Sequence, residues 1–195
     1  MLPETLTRIN WIDIFVVILL FRTGYISLQS GLPIEIFKLF GIISAIYLAM
    51  HYYSLLSGFL SGNLLFLQKL PSEFLDFCVF SSLALVGYLA FVFLRAIFYR
   101  FIKVDATAPL DRWGGFTLGV IRGFLLSSLI LFIFALSPVD YFEDSVNKSC
   151  SGKYLLSLSP NVYSGLWKGI FSKFRAGEKF NEHAFEVIEN QQKKE

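Results

Sequence analysis

Residues 109–126 read PLDRWGGFTLGVIRGFLL, and this stretch decides the fold. Gly115, Gly119 and Gly123 recur at every fourth position, and Ser127 extends the row. Residues four apart share one face of a helix, so the row forms a flat groove free of bulky side chains. Helix association in lipid lacks a hydrophobic drive and rests on close backbone approach, which small residues permit. The apolar run that follows completes a membrane helix, and the glycines read as packing devices. A phosphate loop is excluded, because GGFTLG lacks the Lys-Ser/Thr pair that nucleotide binding needs.

A second small-residue row, Gly41, Ala45 and Ala49, stands in an earlier apolar segment. The two rows suit either packing against each other within one chain or a seam between copies. Arg122 lies roughly 9 Å into its helix at 1.5 Å per residue. Its long stem can carry the guanidinium back to the interface, or the charge can pair inside the bundle. Glu35, which enters the bilayer from the same side, is the preferred partner. Arg22 competes for Glu35, and Asp13, near the opposite end of the first helix, lies too far from Arg122.

Composition agrees with a membrane setting. The 195 residues are 55% hydrophobic and 16% charged, where a soluble domain carries roughly 25% charged residues. The mean hydropathy is +0.60. With 22 Phe and 9 Tyr, the chain has more aromatic surface than one compact soluble core hides. The net charge of +2 comes without a dense basic block, so nucleic acid is not expected as a partner. Cys78 and Cys150 are too few for a disulfide scaffold and too isolated for a zinc site.

Spanning a core about 30 Å thick takes about 20 apolar residues. Four windows qualify, at about 9–28, 36–56, 74–94 and 116–137. The first is read as a retained helix, since no small-residue cleavage site follows it. QSGLPIE makes a tight turn, with Pro33 able to open the second helix. Pro109 is expected to stop the extension of the third. The expected architecture is therefore an all-α integral membrane protein: a four-helix transmembrane domain over 1–137 and a polar tail over 138–195. Within the tail, SPVDYFEDSVNKSCSGKYLLSLSP reads as loop and ENQQKKE as disordered. Between them an amphipathic helix at about 161–175 carries Val162, Tyr163, Leu166, Trp167, Ile170, Phe171 and Phe174 on one face.

Basic residues set the orientation. Arg22, Lys38, Arg95, Arg100, Lys103 and Arg112 fall on one side, against Arg8 and Lys69 on the other, which places both termini outside. No catalytic, cofactor-binding or metal-binding residue is expected: His51 stands alone beside two tyrosines, His183 lies in the polar tail, and Ser127 and Ser128 have no base within reach. The intramembrane charges Asp13, Arg22, Glu35 and Arg122 are the functional candidates by default.

These residues also carry a family likeness. Asp111 and Arg112 followed by Gly115, Gly119, Arg122 and Gly123 resemble the signature of the colicin V production (CvpA) family. The opening INWIDIFVVILL with Trp11 and Asp13, the turn with Gly31 and Glu35, HYYSLLS from His51, and EDSVNKS with SPNVYSGLW after the fourth span fit the same pattern over about residues 9–165. Members often carry arginines around the first turn, where this chain has Ser30 and Ile34. The resemblance implies a four-span bacterial inner-membrane protein linked to colicin V production or export and to envelope maintenance, without a defined reaction. Its expected partners are the lipid bilayer, export or envelope proteins and further copies of itself. A small oligomeric channel or transporter is the alternative.

Overall fold

Residues 10–64, 67–101, 108–174 and 178–193 are described by the computed structural model. Four long helices dominate: α1 (Trp11–Ser30), α2 (Leu32–Asn63), α3 (Ser72–Phe101) and α4 (Ala108–Ala135). Each contains a stretch long and apolar enough to cross a bilayer, and no strand occurs among the described residues. The fold is an all-α membrane architecture.

The helices form a row more than a square bundle. α3 packs along α2, α2 along α4, and α4 along α1, while the sequence neighbours α1–α2 and α3–α4 touch little. Burial follows that order: the apolar windows of α4 and α2 are 56% and 39% buried, those of α1 and α3 only 28% and 22%. The two inner helices therefore carry the core, and the two flanks turn most of their apolar surface outward. Ile42, Ala45, Ile46, Met50, Phe80 and Phe132 centre that core.

Helix ends differ from the sequence reading where proline and capping intervene. Pro109 lies in the first turn of α4, where its missing N–H costs no hydrogen bond, so α4 starts at Ala108 well ahead of the expected 116. α2 runs for 32 residues, with Pro33 in its first turn. At 1.5 Å per residue it is about 48 Å long, more than the roughly 30 Å hydrocarbon layer requires. The surplus is a platform for the tail. Arg8 and Lys103, counted in the charge bias, lie outside the described residues.

The segment expected as loop forms two helices, α5 (Asp140–Lys148) and α6 (Cys150–Leu155). Capping explains the difference. Ser149 Oγ accepts the Gly152 N–H at 2.8 Å, and the distant Asp13 supplies a second cap described below. α7 (Leu158–Leu166) then continues through a π turn (Trp167–Phe171) into α8 (Ser172–Phe174). Tyr163 and Trp167 are buried, whereas Ile170 and Phe174 are exposed. Arg175, the last residue of the expected 161–175 helix, is outside the described residues. α9 (His183–Lys193) includes most of the segment expected to be disordered; Ala184 is fully buried and Phe185, Val187 and Ile188 pack on the core, anchoring it.

Candidate functional site

The α1–α2 turn is the convergence point of the sequence candidates. Gly31 has φ +81°, a conformation side-chain-bearing residues rarely adopt. The Leu32 N–H, one of the four unpaired donors opening α2, donates to Asp111 Oδ1 at 2.7 Å. Asp111 comes from the first turn of α4, 79 residues away, and caps a helix not its own. A Cβ on Gly31 would stand 2.6 Å from Asp111 Oδ2. Glycine is thus required twice, for the backbone angle and for the carboxylate.

Above this cap the α4 groove receives α1. A Cβ on Gly115 would lie 2.9 Å from the Ser27 carbonyl oxygen, and one on Gly123 2.6 Å from Thr23 Oγ1. A Cβ on Gly119 would overlap the Ser27 side chain. The Ser27 and Thr23 hydroxyls donate to carbonyls of their own helix, to Gly24 O at 2.8 Å and Leu19 O at 2.8 Å, so no donor is stranded at the contact. Ser127 likewise bonds Gly123 O at 2.9 Å. The second row serves another interface. Gly41 meets Phe91 and Tyr88 of α3, and the Ala45 backbone meets α3 at Gly87, where a Cβ would stand 2.8 Å from Ala45 Cα. The two small-residue rows do not face each other; each holds a different neighbour. Ala49 is fully buried on the same helix.

Glu35, fully buried one turn into α2, lies between two cations. Lys38 Nζ is 2.6 Å from Oε1 and also donates to Ser30 Oγ at 2.9 Å. Arg122 Nε lies 3.0 Å from Oε2 across the α2–α4 interface. The Arg122 N–H is not aimed at the oxygen, and neither atom makes a well-formed hydrogen bond. The contact is an ion pair held by charge more than by direction. The Arg122 side chain is 8% exposed, so it pairs in the bundle instead of reaching the surface. Arg22 and Arg112 are exposed, and the ion pairs of Glu35 are with Lys38 and Arg122 instead. Lys38, which sequence reasoning counts only as a topology charge, completes it; its i, i+3 spacing from Glu35 was the available signal.

Asp13 works at the opposite end. Its carboxylate accepts the N–H of Ser151 at 2.6 Å, of Cys150 at 3.3 Å and of Asn10 at 3.1 Å. It therefore caps both α1 and α6 and ties the tail to the bundle. Trp11 Nε1 and Asn10 Nδ2 add bonds to Ser145 Oγ and Ser145 O, at 3.1 and 2.6 Å.

A second polar cluster escaped the sequence reading. His51 is buried, with Nδ1 2.9 Å from the Tyr163 hydroxyl and Nε2 3.0 Å from Glu178 Oε2. The Tyr163 oxygen accepts the Asn181 N–H at 3.0 Å. The Tyr163 hydroxyl thus stands between the His51 ring and the backbone that leads to α9. Tyr47 and Trp167 stack on the imidazole at 5.4 and 5.0 Å between centroids. His51 thus does not stand alone, and its hydrogen-bonding partners lie more than a hundred positions away, beyond the reach of local spacing. His183 also has a partner, Glu186, at 2.8 Å.

Chemically, the buried charges are committed to one another and to helix ends. Among the described residues no group of three or more His, Cys, Asp or Glu could hold a metal ion, and both cysteines are free thiols. Fold and site together define a multi-pass α-helical membrane protein whose intramembrane charges clasp its inner helices. The family model for the Colicin V production protein matches residues 12–160, and the chain belongs to that family. No curated protein and no solved structure gives a significant match.

Proposed function

We propose that the protein is a non-enzymatic inner-membrane scaffold or accessory factor in colicin V production or export and in envelope maintenance. The observation that carries this reading is the family match together with where its polar residues are spent. Gly31, Glu35, Asp111, Gly119 and Arg122 all fix helices against one another. The lipid-facing flanks and the tail then offer surface to export or envelope proteins. The small channel or transporter is the second reading, favoured by a buried carboxylate and a buried guanidinium within the spans, with half-buried Lys38 beside them. Crosslinking in native membranes and conductance of proteoliposomes separate the two. A scaffold yields defined crosslinked partners and silent liposomes, whereas reproducible conductance overturns it.

The six-to-two bias in basic residues supports periplasmic termini. A C-terminal alkaline phosphatase fusion is then active and a green fluorescent protein fusion dark. The reverse pattern inverts the assignment.

A further inference from the structure

Where α9 crosses the projecting end of α2 and the start of α3, the surface opens into a cavity of about 520 Å³. Its walls are unusual for an apolar chain. Ser57 and Ser61 from α2, Asp76 from α3, and His183 and Glu186 from α9 line it together with Tyr53. Asp76 takes part in no hydrogen bond or ion pair among the described residues, and the one basic group at the wall, His183, is 2.8 Å from Glu186. Two carboxylates thus face a space to which the described residues bring one basic group.

Tyr53 is the independent observation. The residue is 2% exposed, its ring packed edge-on against Phe80 at 5.5 Å. Its hydroxyl nevertheless makes no hydrogen bond among the described residues, and it lies in the field of both Asp76 and Glu186. The ring is buried while the hydroxyl oxygen opens onto the cavity, free to pair with whatever occupies it. A guest can thus provide what the described residues do not. Ser57 and Ser61 donate to carbonyls of their own helix, at 3.2 and 3.0 Å, and keep acceptor lone pairs. The wall therefore offers two negative charges, several acceptors and one unspent hydroxyl.

We propose that this cavity is a binding site for a small hydroxylated organic ammonium. An ammonium satisfies the carboxylates, and its hydroxyls meet Tyr53 and the serines. The volume falls within the range of about 300–1,000 Å³ usual for small-molecule sites and is far larger than a dehydrated metal ion fills.

The test uses the full-length protein in detergent, titrated calorimetrically with glucosamine, ethanolamine and choline, with glucose as the uncharged control and Ca²⁺ and Mg²⁺ as competitors. At least one ammonium probe binds, with about tenfold or greater preference over glucose. Asp76→Asn weakens that binding at least tenfold. Tyr53→Phe weakens binding of the hydroxylated probes severalfold and leaves the melting temperature unchanged, since the hydroxyl bonds none of the described residues. Failure of all three ammonium probes, equal binding of glucose, or displacement by stoichiometric Ca²⁺ or Mg²⁺ overturns the proposal. So does a Tyr53→Phe protein that melts early yet binds as before.

Discussion

At the scale of single residues, the unequal position of Glu35 between two cations makes the clasp testable. Removing one partner of a buried ion pair typically costs about 3–5 kcal/mol, because the other charge is stranded. Arg122→Leu leaves Glu35 still paired with Lys38 2.6 Å away, so its cost falls toward the lower end. Glu35→Gln removes the charge that both cations meet, leaving buried Arg122 without its counter-ion and Lys38 with Ser30 alone, and is the more damaging single change. The double variant is then no worse than Glu35→Gln alone, a coupling of well over the 0.5 kcal/mol expected of contacting residues. Melting in detergent, read as a double-mutant cycle, measures it; strictly additive losses mean that the 3.0 Å approach carries no energy. Glu35 was legible as the partner because both charges sit near the same end of their spans. The Asp111 cap was not, since nothing local in DRWGG reveals that its carboxylate reaches Leu32 across 79 positions.

At the scale of elements, small residues announce that a helix packs closely but not which neighbour it meets. The α4 groove suited α2 as well as α1 in the sequence, and the structure gives it to α1 because the Gly31–Asp111 cap already holds those ends together. Gly119→Leu must displace Ser27, and overpacking of this kind costs about 1–3 kcal/mol. Gly62, which has nothing within 4 Å, supplies the control. Gly119→Leu is expected to melt several degrees below wild type in detergent, while Gly62→Leu melts with it. Equal melting of all three proteins would show that α1 does not rest in the groove. The same limit explains α5 and α6. Their polar sequences read as loop because one of their caps, Asp13, comes from more than 130 residues upstream.

At the scale of the whole molecule, a row of four helices leaves the α2 end uncovered unless the tail folds back on it. The His51 cluster is the latch. Tyr163 bonds both His51 Nδ1 and the Asn181 N–H, and Asn181 Nδ2 donates to Met50 O at 2.7 Å, so one hydroxyl joins α2, α7 and the approach to α9. Tyr163→Phe keeps the ring stacked on Phe180 but leaves two buried groups without a partner. The expected loss is about 1–3 kcal/mol of tail docking. That appears as roughly tenfold or faster amide exchange in residues 158–166, with exchange in the core of α4 unchanged. Burial, opposed by the Asn181 bond and reinforced by the charge of Glu178, raises the Tyr163 hydroxyl above the ordinary tyrosine range. A raised folded value means that the folded tail holds this proton more tightly than the free tail does. Docking is therefore intact below about pH 10, the unperturbed tyrosine value, and weakens as pH climbs through the higher folded one. Wild-type exchange in residues 158–166 accelerates on that alkaline limb, and the Tyr163→Phe protein, lacking the titrating group, loses this component. An identical alkaline limb in both proteins would show that the latch is held elsewhere.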